Sequence, residues 1–181
     1  MSIASDHWLT GVRHVVSPNC DDRPDPEDIS LIVLHGISLP PGEFGSGLVE
    51  RLFANQLQVD PAGPMADLVG LRVSSHLLID RDGLCTQFVP FHRRAWHAGR
   101  SAWQGRPACN DYAIGIELEG TDALPYTEAQ YRRLIPVVKT LLATYSGLSP
   151  EAIVGHLEVA PERKTDPGPR FDWQRLLLAV I

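Results

Sequence analysis

Apolar residues in this chain fall into short runs, each bounded by residues that interrupt regular structure. The first, Ile29-Ser30-Leu31-Ile32-Val33-Leu34, ends in His35-Gly36 and reads as a buried strand that delivers a polar side chain at its edge. Leu39-Pro40-Pro41-Gly42-Glu43-Phe44-Gly45 is too rich in proline and glycine for regular structure. From Gly47 to Leu57, apolar Leu48, Leu52, Phe53 and Leu57 recur at helical spacing and predict a short amphipathic helix, ended by the proline- and glycine-interrupted stretch from Asp60 to Pro64. Two β-rich runs between Val73 and Val89 flank Asp80-Arg81-Asp82-Gly83, where Asp-Gly supplies a turn of positive φ, and so predict a hairpin.

Alternation marks Tyr112 to Glu119, with Ile114, Ile116 and Leu118 on one face and Gly115, Glu117 and Glu119 on the other. If the aliphatic face is core, the opposite face carries two carboxylates. Thr127-Glu128-Ala129-Gln130 has the form of a capping box, and the stripe Leu134, Val138, Leu141 and Tyr145 carries a helix to about Tyr145. Pro136 should kink it, because its ring removes an N–H and crowds the preceding turn. Ile153-Val154-Gly155-His156 predicts another short strand ending on a histidine; after a loop to Phe171, Asp172 can cap a last helix bearing Leu176, Leu177 and Val180. Strands and helices intermixed without repeats or low-complexity linkers predict an α/β chain of α+β type, a central mixed β-sheet flanked by helices. A length of 181 residues suits one domain, 1–181.

Charge and composition then remove whole classes of function. The formal net charge of -6 leaves no broad basic face to neutralise a phosphate backbone, so nucleic acid is not an expected partner. Cys20, Cys85 and Cys109 lie far apart with no C-x-x-C pair, and are expected as isolated thiols. The longest apolar stretches are too short to span a membrane. The start, Met1-Ser2-Ile3-Ala4-Ser5-Asp6-His7-Trp8, has neither the basic beginning nor the apolar run of a signal peptide, which makes the cytoplasm the expected location.

Seven histidines occur, and His7, His14 and His92 sit in ordinary polar contexts. His35 and His156 differ, each closing an apolar run where loop-borne chemistry meets a rigid scaffold. For either alone, a hydrogen-bonded core histidine is the simpler reading. The loop Glu162-Arg163-Lys164-Thr165-Asp166-Pro167-Gly168-Pro169 adds an aspartate between charged residues and a rigid Pro-Gly-Pro. Two imidazoles and a carboxylate form a three-ligand zinc set that leaves a fourth position for water. With no H-E-x-x-H or paired-cysteine signature, spacing alone leaves both readings open. A serine or cysteine hydrolase finds no support, since neither a G-x-S-x-G elbow nor a suitably partnered cysteine is present.

Four blocks sharpen the picture. Leu34-His35-Gly36-Ile37-Ser38-Leu39-Pro40-Pro41-Gly42-Glu43-Phe44, Arg94-Ala95-Trp96-His97-Ala98-Gly99, Cys109-Asn110-Asp111-Tyr112-Ala113-Ile114-Gly115-Ile116-Glu117-Leu118-Glu119-Gly120-Thr121-Asp122 and Arg163-Lys164-Thr165-Asp166-Pro167-Gly168 closely resemble the AmpD family. Its members are cytoplasmic 1,6-anhydro-N-acetylmuramyl-L-alanine amidases of Gram-negative bacteria, and the match runs in order from about Trp8 to Trp173. The resemblance implies the N-acetylmuramoyl-L-alanine amidase fold shared with peptidoglycan recognition proteins, an anhydro-muropeptide substrate, and Zn2+ held by His35, His156 and Asp166.

It also implies that Glu117 is the catalytic glutamate and Lys164 the lysine of a Lys-x-Asp motif. Glu117 would take a proton from the attacking water and return it to the departing amine, while Lys164 would face the oxyanion. Trp96 suits the apolar face of the anhydro sugar and Arg72 a peptide carboxylate, with core packing and a surface ion pair as their respective alternatives. His76 and His97 are expected to pack behind the site. Two positions depart from the family pattern. His35-Gly36 stands where relatives usually have His-Asn, and Ala108 stands where they carry an arginine. The rival readings are a muropeptide-binding module without catalysis and an amidase acting on intact peptidoglycan. The oligomeric state is left open, a monomer included.

Overall fold

The computed structural model describes residues 1–181. Its strands in chain order are β1 (Arg13–His14), β2 (Cys20–Asp22), β3 (Leu31–Ile37), β4 (Leu77–Ile79), β5 (Cys85–Gln87), β6 (Arg93–Ala95), β7 (Ala102–Trp103), β8 (Arg106–Pro107), β9 (Ala113–Glu119) and β10 (Ile153–Gly155). The α-helices are α1 (Leu48–Phe53), α2 (Glu128–Thr144), α3 (His156–Val159) and α4 (Trp173–Val180). Six strands form one sheet in the order β1-β5-β4-β9-β3-β10; the others pair as small ribbons, β2 with β6 and β7 with β8. Strands β4, β9, β3 and β10 run parallel, and β5 pairs antiparallel with β4, so the sheet is mixed, as the pattern predicts.

Strand alternation decides what each side of the sheet meets. Ile32 and Leu34 of β3 and Ile114, Ile116 and Leu118 of β9 pack with Leu134, Val137, Val138 and Leu141 of α2 and Leu176 and Val180 of α4. Leu31, Val33 and Ala113 pack on the other side with Ala98, Cys109, Tyr112, Ala152 and Val159. All seven residues of β9 are therefore buried, the face that carries the two carboxylates included. Glu119 is accommodated because its two oxygens accept the N–H groups of Gly45, at 2.6 Å, and Arg81, at 3.4 Å. Those bonds also tie the Pro- and Gly-rich loop after β3 to the end of β9.

Local signals hold where they rest on short-range chemistry. The box at the start of α2 is formed, with Thr127 Oγ1 accepting from the Gln130 N–H at 3.2 Å and Gln130 Oε1 from the Thr127 N–H at 2.9 Å. Gly83 closes the β4–β5 hairpin at φ 81°, and Asp172 Oδ1 caps α4 through the Arg175 N–H at 2.9 Å. Helix α2 continues through Pro136 to Thr144. Two boundaries differ from expectation. Helix α1 stops at Phe53 rather than near Leu57, because Asn55 takes a left-handed φ of 57° and exchanges side-chain hydrogen bonds with Asn19. Strand β10 stops at Gly155, whose N–H donates to Glu158 Oε2 at 2.7 Å, so His156 begins α3 instead of ending the strand.

The three cysteines are free thiols, and no helix is long and apolar enough to cross a membrane.

Candidate metal centre

The site forms along the carboxyl ends of three adjacent parallel strands, the edge at which open α/β sheets present ligands. In the β3–β9 register His35 lies opposite Glu117, and on the other side of β3 the pairing of Gly155 with Leu34 brings His156 to the same end. Asp166 arrives from the loop after α3. Its carbonyl accepts the Leu157 N–H at 3.0 Å, and its Oδ2 accepts the Gly36 N–H at 3.3 Å. Next to it, the Tyr126 hydroxyl donates to Pro167 O at 2.9 Å. A Cβ at Gly36 would sit 2.4 Å from that hydroxyl, so a side chain at this position requires the hydroxyl to move.

His35 Nδ1, His156 Nδ1 and Asp166 Oδ2 form the cluster. Their separations are 2.9 Å between the two nitrogens, 3.5 Å from His35 to Asp166 and 3.2 Å from His156 to Asp166. A tetrahedral zinc with nitrogen and oxygen donors near 2.0–2.1 Å spaces its ligands about 3.3 Å apart, so the donor set fits such an ion in both chemistry and spacing. The protonation states also fit. Burial pulls His35 down to about 4, leaving a neutral imidazole with a lone pair to offer. Burial alone would raise Asp166, but its contacts with His156 and His35 outweigh it and hold the carboxyl below the usual carboxylate range. The residues thus constitute a site that could hold a metal.

Glu117 lies beside this cluster, with Oε1 3.9 Å from His35 Nδ1 and Oε2 buried without a protein partner. Burial raises its carboxyl well above the ordinary glutamate value; the charge of Asp166 adds to this and that of Lys164 opposes it. Glu117, Lys164 and the three cluster residues line one cavity of about 250 Å³, walled on another side by Leu39, Leu52, Phe53, Leu68, Leu71 and Val73.

Arg72 and Trp96 do not line that cavity. Arg72, exposed, borders an adjoining recess that shares Leu52, Leu68 and Leu71 with it. Trp96 is half-buried, and its indole N–H donates to Asp21 Oδ1 at 3.0 Å beside the Arg94 ion pairs with Asp21 and Asp111. Ala108 is exposed at a left-handed φ of 59°, away from the cavity. The lining also includes His97, expected to pack behind the site, and Ser74, which nothing in the sequence marks. For His97 the signal was its place in the Trp96-His97-Ala98-Gly99 block.

Comparison with known proteins agrees with this architecture. A model of the N-acetylmuramoyl-L-alanine amidase family matches residues 25–169. The 1,6-anhydro-N-acetylmuramyl-L-alanine amidase AmpD of Salmonella typhimurium strain SL1344 is 54% identical over 173 residues, which cover 96% of this chain and 92% of that protein. A crystal structure of a selenomethionine derivative of AmpD superposes with a TM-score of 0.93 at 52% identity, covering 100% of both chains. The Escherichia coli amidase AmiD, solved with its substrate anhydro-N-acetylmuramic acid-L-Ala-D-gamma-Glu-L-Lys, superposes at 0.62 with 34% identity over 85% of this chain and 58% of that one. Family match, near-full-length identity and superposition agree: the chain belongs to the N-acetylmuramoyl-L-alanine amidase family, in its 1,6-anhydro-N-acetylmuramyl-L-alanine amidase branch.

Proposed function

We propose that the chain hydrolyses the amide joining the lactyl group of 1,6-anhydro-N-acetylmuramic acid to the L-alanine of a stem peptide, in the recycling of muropeptides in the cytoplasm. Zn2+ would be held by His35 Nδ1, His156 Nδ1 and Asp166 Oδ2. The observation that carries this reading is the convergence of those three donor atoms in one cavity beside a buried glutamate. When bound, the ion would polarise the scissile carbonyl and acidify an attacking water.

Glu117 is the proton carrier in this reading. Its raised affinity for a proton and its unpartnered Oε2 suit a group that takes a proton from the water and returns it to the departing amine of L-alanine. Lys164, on the same cavity wall, supplies a fixed positive charge for the carbonyl oxygen as negative charge develops there. The apolar wall suits the hydrophobic parts of the muropeptide, and Arg72 in the adjoining recess suits a peptide carboxylate. Trp96, whose indole N–H is committed to Asp21, has no part in this reading.

The test is incubation of the zinc-loaded protein with a 1,6-anhydro-muropeptide and, separately, with intact sacculi, followed by mass spectrometry of released peptides. Release of L-alanyl peptide from the soluble muropeptide is expected. Binding without release would point to a recognition module instead, and release from sacculi alone to a wall-degrading amidase.

A further inference from the structure

We infer that His97 is a positioning residue for the metal centre: its Nδ1 accepts the proton on His35 Nε2 and so keeps the lone pair of His35 Nδ1 turned toward the metal. This rests on the zinc-site reading above.

The two ring nitrogens of His35 have different neighbours. Nδ1 belongs to the donor cluster, and Nε2 lies 2.9 Å from His97 Nδ1. A neutral imidazole has one proton, and a nitrogen that coordinates a metal cannot hold it. The proton therefore belongs on Nε2 and needs an acceptor, which fixes both tautomer and ring orientation. With the roles reversed, His97 would donate, the proton of His35 would sit on Nδ1, and coordination would be blocked. The same logic assigns the proton of His97 to its own Nε2, a buried atom with no protein partner.

The surroundings are built to hold His97 in this pose. A Cβ on residue 115 would come within 2.5 Å of the His97 ring, and that residue is glycine, in the middle of a strand where glycine is otherwise unfavourable. The N–H groups of His97 and Ala98 both donate to Asn110 Oδ1, at 3.2 and 2.8 Å. On the preceding residue, the Trp96 N–H donates to Ser74 Oγ and its carbonyl accepts the Ser74 N–H, each at 3.1 Å. His76 cannot substitute, because its Nδ1 accepts the Gly115 N–H and its Nε2 donates to Arg93 O. The second imidazole, His156, directs its Nε2 to the carbonyl of Ala98 at 3.4 Å, so consecutive residues stand behind both rings.

Long-range proton–nitrogen NMR of the zinc-loaded protein reads the tautomers directly. Protons on Nε2 of both His35 and His97 are expected; a proton on Nδ1 of His97 would overturn the inference. In parallel, zinc affinity is measured by chelator competition, with circular dichroism as the check on folding. His97→Phe, which keeps a ring but has no acceptor, should weaken zinc binding by about 10- to 100-fold. His97→Asn, whose Oδ1 falls near the position of Nδ1, should restore most of that loss. A folded His97→Phe protein with unchanged affinity, or Phe and Asn variants that bind equally, would refute the proposed role. If the variants do not fold, the NMR of the unaltered protein decides. His35→Ala in the same competition separates the two readings, since its retention of zinc would sink the metal centre itself, not only the role of His97.

Discussion

His35 and Glu117 are register partners on the parallel strands β3 and β9, and their side chains approach to 3.9 Å between Nδ1 and Oε1. One backbone pairing thus sets the distance between a metal donor and the proposed proton carrier, with both strands buried on either face. The two residues should nevertheless separate under mutation. Glu117→Gln preserves shape and removes the base, so turnover should fall by about 10²- to 10⁴-fold while zinc stoichiometry after dialysis stays at the wild-type value. A zinc-loaded Glu117→Gln protein with full activity would exclude the proposed role.

Gly36 and Tyr126 form a second coupled pair. An added methyl at Gly36 would meet the Tyr126 hydroxyl at 2.4 Å, forcing it off Pro167 O and loosening the segment that carries Asp166. Gly36→Ala should therefore lower both thermal stability and zinc affinity. Tyr126→Phe alone should cost about 0.5–1.5 kcal/mol, the net value of one hydrogen bond. Because the phenylalanine also removes the clashing oxygen, the double variant should be less destabilised than the two single changes summed. Urea titration of the four proteins measures the coupling; strict additivity would show that the two positions do not communicate.

Features held by short-range interactions are legible in the sequence, and those held by long-range ones are not. A buried parallel strand favours a near-continuous apolar run, so β3 and β10 are visible in the chain as such runs, while β9 is visible by its alternation. Capping at Thr127 and Asp172 is visible because donor and acceptor are three residues apart. The five residues His35, Glu117, His156, Lys164 and Asp166 meet in one cavity, and strand-end placement plus the resemblance single them out beforehand. What escapes is decided across the fold. The early stop of α1 depends on Asn19 meeting Asn55, the burial of Glu119 on Gly45 and Arg81, and the place of His97 on the missing side chain of Gly115. The indole N–H of Trp96 is fixed in the same long-range way, by Asp21, a residue far away in the chain.

Acid should destabilise the fold through His76. Burial, helped by Arg23 and opposed by the Arg93 carbonyl, pulls this histidine down to about 3. Its Nδ1 must stay unprotonated to accept the Gly115 N–H at 3.0 Å. The unfolded chain takes up the proton near the ordinary histidine value of about 6.5. Between those values the unfolded state binds more protons, so stability is full above about pH 6.5 and declines as pH falls toward 3. His35 contributes in the same direction, which makes a difference measurement necessary. His76→Asn, able to accept the Gly115 N–H without titrating, should flatten the loss of denaturation midpoint between pH 7 and pH 4.5. Parallel curves for the two proteins would remove His76 from the account.

Metal removal should act locally before it acts globally. A ligand that binds only the native state stabilises it by about 2.7 kcal/mol at a free concentration a hundred times its Kd, and by about 4.1 kcal/mol at a thousand times. Chelation should therefore lower the melting temperature, with recovery on adding zinc. The segment carrying Asp166 is tied to the rest by hydrogen bonds from the Gly36 N–H, the Tyr126 hydroxyl and the Arg163 guanidinium, which donates to Ala98 O and Arg100 O, whereas β3 and β9 share seven register pairs and are packed on both faces. Without the cation, the Asp166 carboxylate and two closely apposed imidazoles lose the charge that draws them together. Hydrogen exchange should accelerate first from His156 through Gly168 while β3 and β9 keep their protection. Equal acceleration in all segments would mean that the ion stabilises the fold as a single unit, and an unchanged melting temperature would mean that the native state binds none.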